Sequence, residues 1–296
     1  MTKPPIVADV PRARGASFDP KSVVVIEGSP AFASAAPHPS LRAHVSAYWT
    51  VRCDGPRHTI RSLPDGCVDV AFDLLASTPS AFVTGPQRRA RTFEVEGKSH
   101  LVGVRIAPGA CFDLLGAPVA EGDLWVPLAR WLGDAGVELA VRVGAARALA
   151  DRAALLDAFF LARLADLRGA RGADPRLTRA IHLVFETAGA ARVAELAKAA
   201  HASERTLARL FSERVGTSPK RFARIARFQD LLRRIDGPPD WGAFAMRTGY
   251  ADQAHMIRDF KELFGCTPGE ALALGAARER AEVEAQGADA SAIARW

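Results

Sequence analysis

The sequence predicts two domains of different class. The first is an α+β domain, β-rich and able to close as a barrel, with trailing helices; the second is an all-α domain in which two helix-turn-helix pairs are joined by a linker helix. Three observations predict this. A chain of 296 residues is long enough to bury two separate cores. Short apolar runs broken by Gly and Pro fill residues 41–122 at strand spacing. Beyond residue 175 the apolar positions recur every three or four residues, the period of amphipathic helices.

Taken in order, residues 1–40 are rich in Pro, Ala and Ser and read as an irregular arm with one β-branched run, Val23–Gly28, that suits a strand. Residues 41–167 form the β-rich domain. The runs HVSAYWTV, CVDVAFDLL, SAFVTG and HLVGVRIAPG supply strands, and Leu, Val, Ala and Trp at helical intervals after Gly122 supply the helices that follow. Residues 168–174, Gly-rich and charged, read as a linker. The helical domain occupies 175–275, and residues 276–296 are an Ala/Glu/Arg-rich tail.

Composition narrows the function class. The formal net charge is +6, and residues 175–275 hold 16 basic against 11 acidic side chains while residues 1–174 hold 20 against 18, so the surplus sits in the helical third. That balance suits an anionic partner. Cys53, Cys67, Cys111 and Cys266 show no C-x-x-C pair, which gives neither a zinc module nor a disulfide framework. No stretch approaches the ~20 apolar residues of a membrane span, and the first residues lack a secretory h-region, so a cytoplasmic protein with no membrane partner is expected.

The helical third carries the chemistry. Asp174 with Pro175 suits a helix start, and Leu177, Ile181, Val184 and Phe185 form its apolar stripe. A helix from Val193 breaks near His201, and Ser203 caps the next, in which Leu207, Leu210 and Phe211 face inward and Glu204, Arg205, Ala208 and Arg209 face out. A long helix from Pro219 to Ile235 then reads as a basic spacer ended by Gly237-Pro238-Pro239. The pattern repeats after it: a short helix broken at Gly249, then a helix capped by Asp252 and running to Phe264. A helix displayed on a tight turn with polar and cationic residues on its first exposed turns is what major-groove reading requires, and two on one spacer can reach successive grooves about 34 Å apart.

These residues resemble the DNA-binding domain of the AraC-type (AraC/XylS) transcription regulators. The likeness rests on Ala194, Leu196, Ala197, Ser203, Leu207, Arg209, Phe211, Gly216, Ser218, Pro219 and Arg224 in the first half. In the second half it rests on Ala245, Gly249, Tyr250, Asp252, Arg258, Phe260, Lys261, Phe264, Gly265, Thr267 and Pro268. The resemblance implies double-stranded DNA as partner, with base contacts from Arg205, Ala208 and Arg209 in one helix and Gln253, Ala254, His255 and Arg258 in the other. Ala208 and Ala254 offer no hydrogen bond, so a thymine methyl is the most either can meet. Ser203, Thr206, Arg224 and Lys261 are candidates for phosphate; for Ser203 and Thr206 helix capping is the competing role, and for Arg224, as for Lys220, Arg221 and Arg227, a solvated helix face.

Residues Tyr48-Trp49, Leu63–Val70, Gly85-Pro86 and Gly103–Ala110 resemble a sensor-type domain found ahead of this unit. That implies a small-molecule effector, a homodimer, or both, and RNA polymerase as partner where such a regulator activates. His58, Asp65, Cys67, Asp69, His100 and Arg105 are the groups an acid/base or metal site there would draw on. No two of the histidines have ligand spacing and Asp65-Gly66 reads as a turn, so no catalytic residue, metal or cofactor is expected. The competing reading is a bifunctional protein whose N-terminal domain is an enzyme carried to DNA by the helical part.

Overall fold

A computed structural model describes residues 23–27, 30–120, 122, 124–167, 174–235 and 240–273. Most of the N-terminal arm, nearly all of the 168–174 linker, the Gly237–Pro239 break and the tail therefore lie outside the described residues. Among the described residues are nine strands, ten α-helices, a 3-10 turn at Pro39–Leu41 and a further helical segment at 268–273.

The strands are β1 (Val23–Glu27), β2 (Ala31–Ala35), β3 (Val45–Cys53), β4 (Arg57–Ser62), β5 (Val68–Asp73), β6 (Ser80–Thr84), β7 (Arg91–Glu96), β8 (Ser99–Ile106) and β9 (Val126–Pro127). They make a six-stranded sheet in the order β2-β3-β8-β5-β6-β9 and a three-stranded sheet in the order β1-β4-β7, antiparallel throughout. No ladder joins the two among the described residues, so the β-rich domain is a pair of packed sheets and not a closed barrel. The domain also starts earlier than residue 41, because β1 and β2 each complete a sheet.

Period-2 alternation sorts the six-stranded sheet into two buried faces. Tyr48, Val70, Phe72, Val102 and Val104 point to one core with the helices α1 (Cys111–Leu115), α2 (Ala129–Leu132), α3 (Asp134–Ala145) and α4 (Leu149–Leu167). Trp49, Val51, Ala71 and Leu101 point the other way, to Ile60, Phe93 and Val95 of the smaller sheet. Burial on both faces explains why β3, β5 and β8 read as nearly unbroken apolar runs. The Trp49 ring lies over Gly103, its register partner on β8, where an added Cβ would sit 2.1 Å from the indole.

The helical domain comprises α5 (Pro175–Glu186), α6 (Val193–Ala199), α7 (Glu204–Arg214), α8 (Pro219–Arg234), α9 (Trp241–Arg247) and α10 (Gln253–Phe264). It has two cores, with α8 between them. Phe222, Ala223 and Ala226 of α8 join α5, α6 and α7 in the first, while Ile225, Phe228, Leu231 and Leu232 join α9 and α10 in the second. Phe185, expected in the apolar stripe of α5, is instead 50% exposed, with its ring edge on Phe222. Among the described residues no helix is long and apolar enough to cross a membrane.

Candidate nucleic-acid interface

Each helix pair is built by local chemistry the sequence carries. In the first, Ala202 N–H donates to Ala197 C=O at 3.0 Å and His201 sits at φ 49°, closing α6 in a left-handed turn. Ser203 Oγ then accepts from Thr206 N–H at 3.2 Å and lies 3.0 Å from the Thr206 hydroxyl, starting α7. The second pair repeats the device: Tyr250 N–H donates to Ala245 C=O at 3.0 Å, Gly249 takes φ 75°, and Asp252 Oδ1 accepts from His255 N–H at 2.6 Å. Asp240 caps α9 in the same way, accepting from Gly242 and Ala243, a cap masked in the sequence by the preceding prolines.

These caps set the rotation of the two candidate reading helices, α7 and α10. On α7, burial of Leu207, Leu210 and Phe211 leaves Arg205, Ala208, Arg209 and Ser212 on one exposed stripe. On α10, burial of Met256, Phe260, Leu263 and Phe264 leaves Gln253, Ala254, Arg258 and Lys261 exposed. Arg209 is held along its helix by Glu213 at 3.2 Å, whereas Arg258 has no ion-pair partner among the described residues. His255 differs from the others: it is partly buried, its ring meets Tyr250 edge-on, and its Nε2 lies 3.9 Å from Asp259.

The spacer is more deeply embedded than its sequence suggests. Arg224 donates to Asp259 at 2.9 Å and to Glu262 at 2.7 Å, tying α8 to α10. The hydrogen bonds from Arg224 hold the Glu262 carboxyl below the usual glutamate range, and the same bonds raise Arg224 further above its own. Arg227 donates to Gly189 C=O at 2.6 Å and lies 5.3 Å from the Tyr250 ring centre, so it bridges the two helix pairs. The expected solvated basic side of the spacer is in large part a set of struts. Arg224, a phosphate candidate by pattern, is committed to two carboxylates.

The N-terminal candidates for acid/base chemistry fall into different places. Arg105, 3% exposed, donates to Asp69 through two bonds of 2.9 Å and to Asp65 at 2.9 Å, and Trp49 Nε1 donates to Asp69 at 3.0 Å. Burial disfavours the charge on Arg105, but the two carboxylates more than reverse this and lift it above its ordinary value. His58 accepts from Gly55 N–H across a turn, and His100 pairs with Thr50. Cys67 is a buried thiol whose pKa is raised by that burial and by Asp65. No group of three or more His, Cys, Asp or Glu is placed to hold a metal among the described residues.

Between the domains lies a cavity of about 370 Å³, which the sequence did not announce. Its walls include His44, Cys67 and Asp113 from the β-rich domain and Leu177, Ile181 and Gln229 from the helical one. His44 Nδ1 and Gln229 Oε1 are buried there with no hydrogen-bond partner.

Residues 196–273, which hold both reading helices, match the family model described as a helix-turn-helix domain. Residues 196–273 are an AraC-type helix-turn-helix domain. Residues 33–122 match a second model, described as a domain of unknown function (DUF6597), which spans the strands from β2 to β8. No curated protein matches the chain. Solved structures that align with it include ToxT from Vibrio cholerae, at 12% identity over 77% of this chain and 97% of that one, with a TM-score of 0.39. Another, described as ToxT bound to an unsaturated fatty acid, aligns at 15% identity over 74% of this chain and 87% of that one, with a TM-score of 0.35. The AraC-type domain is that of a DNA-binding transcription regulator, and the family match begins in α6 and ends just after α10.

Proposed function

We propose that the chain is a sequence-specific DNA-binding transcription regulator in which α7 and α10 enter successive major grooves, and that a small molecule in the interdomain cavity controls them. The observation that carries the first part is the pair of capped helices, each with one buried and one exposed face, joined by α8. At 16 residues, α8 is roughly 24 Å long by the ~1.5 Å rise per residue. Arg205, Arg209, Gln253 and Arg258 are the groups able to hydrogen-bond base edges; Ala208 and Ala254 let the helix backbone approach and can touch thymine methyls. Lys261 and the N-terminal ends of α7 and α10 are placed for phosphate. Ser203 and Thr206 serve first as caps, and His255 orients against Tyr250 and Asp259.

The effector reading is supported by the cavity's make-up. Apolar residues such as Leu177, Ile181 and Phe185 share its walls with charged ones such as Arg42, Asp113 and Arg214; two buried polar atoms there could find partners on a ligand, and the walls come from both domains, so occupancy would change how they dock. The paired state of Asp65, Asp69 and Arg105 favours this over an enzyme, because both carboxylates are already held in ion pairs by the one arginine.

Selection from random duplexes with the full chain tests the first part. It should recover one enriched consensus with two blocks of preferred bases about 10 base pairs apart, and recovery of no consensus would refute the assignment. Filling the cavity by Ile181→Trp tests the second part: it should abolish the response of DNA binding to any active metabolite while the consensus stays the same.

A further inference from the structure

We infer that the N-terminal domain itself forms part of the DNA interface, through an arginine loop between β6 and β7 that meets backbone phosphates beside α7. The inference rests on the DNA-binding reading above and adds a second source of contacts to it.

The loop runs Gly85-Pro86-Gln87-Arg88-Arg89-Ala90 and enters β7 at Arg91, and its apolar and amide positions are anchored. Gln87 Nε2 donates to Ser62 Oγ at 2.8 Å, and Ala90 N–H donates to the Leu263 carbonyl at the end of α10 at 2.7 Å. The Ala90 side chain packs against the second core of the helical domain. Arg88 and Arg89, between these anchors, are exposed.

Arg88 lines an open groove of about 610 Å³ whose other walls include Arg130 and Trp131 from the N-terminal domain and Ser212 and Gly216 from the end of α7. Arg130 is exposed and lies 5.6 Å from the Trp131 ring centre, which braces it. Among the described residues no acidic side chain lines this groove. Ser212 belongs to the same exposed stripe as Arg205, Ala208 and Arg209, so the groove prolongs the surface that reads bases. Duplex leaving the C-terminal end of α7 would carry its phosphates into a channel walled by Arg88 and Arg130, with Arg89 at its rim. Phosphate is the anion that continuity with a reading helix specifies; such contacts position the duplex without adding sequence information. They also make affinity depend on how the two domains dock.

The test uses the full chain with Arg88, Arg89 and Arg130 all changed to Gln, and the consensus duplex as probe, titrated with salt. Each phosphate that the variant no longer neutralises should make the slope of log K against log salt shallower by about 0.9, so a flattening of roughly two to three, weaker binding and an unchanged consensus are expected. Wild-type slope and affinity would overturn the inference. Tighter binding would overturn it too, by showing that the loop masks the DNA face. Arg89→Gln alone, at a position whose side chain is exposed, keeps the test decisive if the triple variant unfolds: it should flatten the slope by just under one. A wild-type chain that selects no consensus would sink the DNA-binding reading itself, whereas a wild-type chain that selects one and variants that match it would sink only this inference.

Discussion

The two helix-turn-helix units use the same turn and cap but different support. The first, α6–α7, rests on α5 and on the N-terminal half of α8, and closes its own core with Leu177, Ala180, Ile181 and Val184. The second, α9–α10, is flanked by a helical segment at residues 268–273, whose Ala271 packs on its core. Its core takes Leu63 from the β-rich domain, 2% exposed, and is flanked by Ala90 from the same domain. Arg61 reaches the Phe264 carbonyl at 3.5 Å and lies 5.5 Å from the Phe264 ring centre, while Gln229 of α8 donates to Pro64 C=O at 2.6 Å. The first unit meets the N-terminal domain through the ion pair of Arg214 with Asp113 at 3.4 Å, beside the Phe112 ring, and through close packing of Ile181 on Gly109 and of Phe222 on Gly66. The core under α7 is thus built from helical-domain residues alone, whereas the core under α10 includes a residue of the β-rich domain. A change in domain docking should reach α10 before α7.

The sharpest way to break that comparison is Leu63→Ala. Loss of a buried leucine from the second core should cost ~2–5 kcal/mol, read by urea denaturation of the full chain. Hydrogen exchange should then show faster opening of α9 and α10 than of α6 and α7; equal acceleration in both would erase the distinction. Next in size, Arg258→Ala and Arg209→Ala should each weaken consensus binding by ~1–3 kcal/mol, measured by fluorescence anisotropy. Arg258 should be the larger, because Arg209 must first leave Glu213, and Glu213→Ala should tighten binding slightly if that is so.

Removing the caps comes third. Ser203→Ala and Asp252→Ala should each cost ~0.5–2 kcal/mol of stability, and Asp252→Ala should show more domain-docking dependence when combined with Leu63→Ala. The smallest effect is electrostatic. Glu262 has a folded pKa below its unfolded one, so its contribution is fully present above the ordinary glutamate range and is lost as pH falls through the lowered value. Its exposure limits it to at most about 1 kcal/mol. The stability difference between wild type and Glu262→Gln should therefore shrink to nothing in acid, and a difference constant with pH would remove the Arg224 strut from the account.

How much of this was legible in the sequence follows from the range of each signal. Asp174, Ser203 and Asp252 act on amides two or three residues away, so their spacing alone placed the helix starts. The inward stripe of α7 was readable for the same reason. Arg224 and Arg227 were not, because their partners lie 35 to 38 residues away and a period of 3.6 shows only which face is apolar, not which arginine is tied down. Ala31–Ala35 carried no strand signal: small residues on an edge strand pair through backbone alone, and its positions are exposed or half-exposed. Leu63 lies just before the Asp65-Gly66 turn, and nothing local could reveal that it completes the core of another domain. His44 and Gln229, 185 positions apart by their numbers in the chain, meet in one cavity only through that docking.

Hydroxyl-radical footprinting on the selected duplex tests the central claim most directly. With wild type, two protected segments one helical turn apart on one face are predicted; Arg209→Ala should fade one and Arg258→Ala the other. A single protected segment weakened by both substitutions, or protection that neither one changes, would contradict the reading of α7 and α10 as paired probes of successive grooves.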